Sequence, residues 1–116
     1  MEIKSRQVSY YVALNGKSHF NEWLAGLKDP VGLAAAAARL IRLKSGNLGD
    51  FKSVGSIVEF RIDSGPGYRI YAGLDGLTLI VLLAGGDKKS QKGDIAKAEL
   101  FWKEYLERKR KNAGTH

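Results

Sequence analysis

Arg61 and Arg69 are the residues whose type and spacing first suggest chemistry. They lie in the stretch VEFRIDSGPGYRIYAGLDGLTLIVLLAGGDKK, where Val58, Phe60 and Ile62 alternate with Glu59, Arg61 and Asp63 as in a strand with one apolar and one charged face. If Ile62 faces Tyr68 across a loop of Asp63 to Gly67, Phe60 meets Ile70 and Val58 meets Ala72, so every apolar residue finds an apolar partner. In that register Arg61 lies opposite Arg69, whereas a loop one residue shorter would set charged positions against apolar ones. Opposed like charges are mildly destabilising, so Glu59, Asp63 or a bound anion must compensate them. Phosphate suits the pair, because each guanidinium offers paired donors and stays charged at any relevant pH. The competing reading pairs Arg61 with Glu59 or Asp63 on a solvated sheet face.

Further cations flank these strands. Lys52 precedes the first of them, and Lys88 and Lys89 follow the last, where each extends the basic patch or simply faces solvent. Tyr71 falls on the same face as Arg69 and is a candidate for stacking on a nucleobase, with a cross-strand contact to Ile80 as its structural alternative. Other chemistries find little support. The chain has no cysteine, and His19 and His116 stand far apart, so neither thiolate nor zinc chemistry is expected. GPGYRI and GGDKKSQ fit neither a phosphate-binding P-loop nor a dinucleotide fingerprint, and no nucleophile accompanies either histidine as a serine triad requires. No cofactor is expected. The formal net charge of +7 suggests an anionic partner, with nucleic acid or an acidic protein the leading candidates.

The elements that must position these residues follow from period and punctuation. EIKSRQVSYYVAL reads as a first strand ending at Asn15-Gly16. Phe20, Trp23, Leu24 and Leu27 then form the stripe of an amphipathic helix capped by Ser18. Asp29-Pro30 opens a second helix that runs to about Ser45 and stops at Gly46, with Leu33, Ala37, Leu40 and Ile41 on one side and Arg39 and Arg42 elsewhere. Its alanine run suits close packing. After the two facing strands, a two-residue type I′ turn at Asp75-Gly76 leads into LTLIVLLA, an apolar strand expected to be covered on both faces. Ile95, Ala98, Trp102, Tyr105 and Leu106 mark a last helix, and ERKRKNAGTH, about residues 107–116, is expected to be a flexible basic tail. Tyr105 reads as a packing residue and His116 as a tail residue.

The expectation is one α+β domain over residues 1–116, in the order β-α-α-β-β-β-α. Its sheet is four-stranded and mostly antiparallel, with two N-terminal helices on one face and a C-terminal helix. No apolar run approaches the roughly 20 residues of a membrane span, and the N-terminus lacks the pattern of a signal peptide, so a cytoplasmic protein is expected.

From Phe51 to Tyr105 the chain resembles the phage-derived Gp49-like, or HigB-type, addiction module killer family within the RelE/ParE toxin superfamily. The resemblance rests on VEFRIDSGPGYRIYAG, an apolar strand into GGDKKSQKGDIAKA, and the FWKEY helix. It implies a RelE-like fold and the toxin role of a type II toxin–antitoxin system: a metal-independent endoribonuclease that cleaves messenger RNA on the ribosome. Its expected partner is a cognate antitoxin of helix-turn-helix type. By the same resemblance Arg61 and Arg69 hold the scissile phosphate, Lys52 and Lys88 contact the backbone or move protons, and Lys89 contacts RNA. The ParE branch shares the fold but inhibits DNA gyrase without nuclease chemistry, and an inactive toxin-fold binding protein is the third possibility.

Overall fold

A computed structural model gives the fold and describes residues 5–113. In chain order the elements are β1 (Gln7–Tyr10), α1 (His19–Gly26), α2 (Pro30–Lys44), β2 (Phe51–Val54), β3 (Ile57–Arg61), β4 (Arg69–Asp75), β5 (Leu79–Gly86) and α3 (Gln91–Ala113). The α+β class is as expected, but the sheet has five strands, in the order β1-β5-β4-β3-β2. The added strand is β2. It pairs antiparallel with β3 through the Gly55-Ser56 turn, where Val54 stands opposite Ile57 and Gly55 takes a φ of +58°. Glycine is needed there because a side chain rarely adopts that backbone. The sheet is also mixed, since β1 runs parallel to β5 with Gln7 beside Leu79 and Tyr10 beside Leu82. The expected first strand is shorter than its sequence pattern, ending at Tyr10, and its residues 2–4 lie outside the described residues.

Both N-terminal helices begin as read. Ser18 accepts a hydrogen bond from the Asn21 N–H, and Asp29 accepts one from Val31, with Pro30 in the first turn. They cover one face of the sheet, where Phe20, Ala36, Leu43, Phe60, Ile62, Ile70 and Ile80 form a buried cluster. Full burial of each large side chain here contributes about 1.5–3 kcal/mol. The buried stripe of α2 differs from the expected one: Gly32, Ala36, Arg39 and Leu43 face the sheet, whereas Leu33, Ala37 and Ile41 are exposed. The smaller residues let the helix backbone approach closely, to the point that a Cβ on Gly32 would stand 2.3 Å from the ring of Tyr68. Arg39 tolerates burial because its stem and guanidinium lie against Phe60.

Helix α3 covers the opposite face, where its Ala98 and Trp102 pack with Ile57, Tyr71, Val81, Leu83 and Ala84. The face that carries Glu59 and Tyr71 is therefore not a solvated surface. As expected, β5 is buried on both sides. A bulge near Leu83 puts Tyr71 opposite Ala84 and Ala72 opposite Leu82. The β4–β5 hairpin does not use a two-residue turn. Asp75 stays in the strand opposite Leu79, its carboxylate held by Tyr105 and Lys109, and residues 76–78 make the loop. The last helix also runs further than its apolar pattern, to Ala113. Arg108 donates to the Val12 carbonyl and pairs with Glu104, which anchors part of the segment expected to be a loose tail. Tyr105 stacks on Trp102 as a packing residue, and His116 lies outside the described residues.

Candidate functional site

The register read from the sequence is the one found: Ile62 donates to Tyr68, Phe60 pairs with Ile70, and Arg61 stands opposite Arg69 at the loop end of the β3–β4 hairpin. The charge between them is balanced from below. Glu59 is fully buried, with Oε1 3.5 Å from Arg69 Nε and Oε2 3.6 Å from Arg61 Nε, and Gln91 of α3 donates to Oε1 at 2.8 Å. The two guanidiniums then differ in freedom. Arg69 has a side chain only 11% exposed and donates from Nη1 to the Gly67 carbonyl at 2.7 Å, whereas the Arg61 side chain is 53% exposed. One carboxylate thus serves two cations, so the pair keeps an excess positive charge.

That charge opens onto a cleft of about 500 Å³ whose walls include Arg39, Arg42, Asp50, Arg61, Tyr68 and Arg69. Four arginines line it, two from strands and two from α2, together with Asp50 and Asp63. The sequence pattern sets Arg39 elsewhere than the apolar side of its helix, yet it is nearly inaccessible at 2% exposure. Its guanidinium carbon lies 5.4 Å from the Phe60 ring centre, and Nη2 donates to the Asp50 carbonyl at 2.6 Å. No carboxylate pairs with it among the described residues. Burial, and secondly the positive charge of Arg42, hold the Arg39 pKa below its ordinary value, with Asp50 opposing. The sequence signal for this pair is its i, i+3 spacing, which sets both side chains on neighbouring parts of one helix surface.

The other nominated residues disperse. Lys52 is exposed on β2, opposite Glu59 and diagonal to Arg61, a relationship that spans roughly 7–8 Å between neighbouring strands. Lys88 is exposed just after β5. Its backbone N–H donates to the Pro66 carbonyl at 3.4 Å, which places it beside the loop that fixes Arg69. Lys89 is exposed in the same turn and does not line the arginine cleft. Tyr71 is fully buried under α3, so it offers no face to a nucleobase; its cross-strand neighbours are Glu59 and Ala84, not Ile80. Burial and then Glu59 push its phenol pKa up. His19 lies in a separate cleft with Glu22, Trp23 and Asp94, its pKa lowered by burial and by Lys97. Among the described residues no three His, Cys, Asp or Glu side chains gather as a metal site needs.

Fold and cleft together define an α+β protein that presents a partly neutralised arginine cluster at one end of a five-stranded mixed sheet. The chain is 46% identical over 86 residues to a Haemophilus influenzae protein described as an uncharacterized protein, a match that covers 73% of this chain and 87% of that one. It belongs to the same family as that protein. No protein-family model matches the chain, and no solved structure does.

Proposed function

We propose that this protein is the toxin of a type II toxin–antitoxin pair, a metal-independent endoribonuclease that cleaves messenger RNA on the ribosome. The observation that carries this reading is the opposition of Arg61 and Arg69 at the mouth of a cleft lined by two further arginines. The RelE-like resemblance of residues 51–105 supports it.

Cleavage through the substrate's own 2′-hydroxyl needs three things. The hydroxyl must lose a proton, the pentacoordinate phosphate must be stabilised, and the leaving 5′-oxygen must gain a proton. Arg69, fixed by Glu59 and the Gly67 carbonyl, supplies a preorganised donor for the phosphate. Arg61, half exposed and held only by a 3.6 Å contact, closes on the transition-state charge. Lys88 and Lys52 flank this pair and contact the RNA backbone or move protons. Lys89 adds an outer backbone contact. Tyr71 has no part in this scheme, being buried. The partner antitoxin, of helix-turn-helix type, covers the basic cleft with carboxylates, and both act in the cytoplasm.

The test is pulse labelling of protein and DNA synthesis after induction of wild type, Arg61→Ala and Arg69→Lys. Arrest of protein synthesis first, lost in Arg61→Ala at equal protein level, supports the ribonuclease. Earlier arrest of DNA synthesis favours a gyrase inhibitor instead. Absence of any arrest leaves a toxin-fold binding protein.

A further inference from the structure

Three of the four cleft arginines are compensated by the fold or by water. Arg61 and Arg69 share Glu59, and Arg42 is exposed on α2. Arg39 is the exception. It is almost completely buried and makes no ion pair among the described residues, and its Nε, like that of Arg69, is buried with no hydrogen-bond partner. A buried cation without a direct ion pair is costly, and Arg42 one turn away on the same wall adds repulsion that the charge of Asp50 opposes only in part. An anion in the cleft between them would relieve both.

The position of this charge without an ion pair is informative. Arg39 and Arg42 stand on the helix wall, Arg61 and Arg69 on the strand wall, and Ile62 and Tyr68 lie in the lining with them. Asp50 and Asp63 also line the cleft, so its four arginines outnumber its carboxylates, and cationic ends with Ile62 and Tyr68 between them match a charged backbone that carries flat bases. We propose that Arg39 and Arg42 form a second phosphate subsite, which holds the backbone phosphate next to the one bound by Arg61 and Arg69 in a single strand of RNA. This subsite rests on the ribonuclease reading and extends it from one phosphate to two. Arg39 supplies fixed charge, oriented by Phe60 and the Asp50 carbonyl, and Arg42 supplies a mobile donor from the rim.

The test is fluorescence anisotropy of the full chain with a labelled RNA hexamer and a labelled dinucleoside monophosphate, titrated over a range of salt. Arg42→Ala is exposed and should fold normally; Arg39→Met retains an apolar stem over Phe60, and its fold is checked by thermal melting. Each phosphate contact on a single strand contributes about 0.7 to the slope of log affinity against log salt. Arg42→Ala is expected to lower the hexamer slope by about that amount and to weaken binding about tenfold at low salt. It should weaken the one-phosphate ligand far less. Equal losses for both ligands, or an unchanged hexamer slope while Arg61→Ala still reduces binding, would overturn the second subsite and leave the ribonuclease reading standing. Failure of wild type to bind the hexamer would overturn the subsite, while the pulse labelling decides the ribonuclease reading. Arg42-dependent binding of a polyglutamate peptide without hexamer binding would make the cleft a docking surface for an acidic protein and overturn the subsite as well.

Discussion

Glu59 and Arg69 meet across neighbouring strands with 3.5 Å between carboxylate and guanidinium, the acid fully buried and the base nearly so. Without Arg69 the buried Glu59 keeps only the half-exposed Arg61 and Gln91, and breaking a buried pair costs about 3–5 kcal/mol. Arg69→Ala should therefore destabilise the protein by roughly that amount. Arg61 is half exposed, so Arg61→Ala should cost less than about 1 kcal/mol. Urea denaturation of the two variants measures the difference. Equal midpoints would show that Glu59 does not depend on Arg69.

The arginine register was legible because alternation fits only one loop length between β3 and β4. Alternation says which side chains share a face, but not what lies over that face. That is why Tyr71 stands as a candidate for stacking in the sequence although α3 buries it. The face of α2 was ambiguous for a different reason. With alanines on every side, two stripes were available, and the close approach of Gly32 to Tyr68 selected the one that buries Arg39. The strand FKSV was too short to stand out, although Gly55-Ser56 is a recognisable hairpin turn. Parallel pairing of β1 with β5 is a long-range contact for which no local signal exists. Half of the cleft was thus readable from the strands, and the α2 half was not.

Stability should fall in acid through two carboxylates that anchor α3. Asp75 accepts from Lys109 and Tyr105, and Glu104 from Arg108 and Tyr11. These bonds, led by those from Lys109 and Arg108, hold both carboxyl pKa values below their ordinary range. Their stabilisation is complete above the unfolded carboxylate pKa of about 4 and is lost as pH falls through the lower folded values. Melting temperature should stay level from about pH 7 to pH 5 and drop below about pH 4. Asp75→Asn should melt lower than wild type at neutral pH and approach it in acid. A constant gap at all pH values would remove Asp75 from this account.

At the other end of the pH range the same contacts work through the phenols. Burial, then hydrogen bonding to Glu104 and Asp75 respectively, pushes Tyr11 and Tyr105 up to about 12. A raised folded pKa contributes stability that is complete below the unfolded tyrosine pKa of about 10 and lost as pH rises towards the folded value. Absorbance titration at tyrosinate wavelengths should show a late phase near pH 12 that loses amplitude in Tyr105→Phe. Ionisation of Tyr105 at its ordinary pKa would contradict the bond to Asp75.

The connection from α2 to β2 gives a way to disturb the cleft without touching an arginine. Gly49 has a φ of +61°, and a Cβ there would stand 2.1 Å from Arg39 Nη1. Gly49→Ala therefore combines left-handed backbone strain of about 1–2 kcal/mol with displacement of the guanidinium from the Asp50 carbonyl. Gly49→Asn separates the two effects, because asparagine tolerates that backbone but still crowds Arg39. Urea midpoints should fall more for alanine than for asparagine, while RNA hexamer affinity should fall about equally in both. Affinity that follows backbone strain, lost in Gly49→Ala and retained in Gly49→Asn, would show that the position of Arg39 does not matter to the cleft.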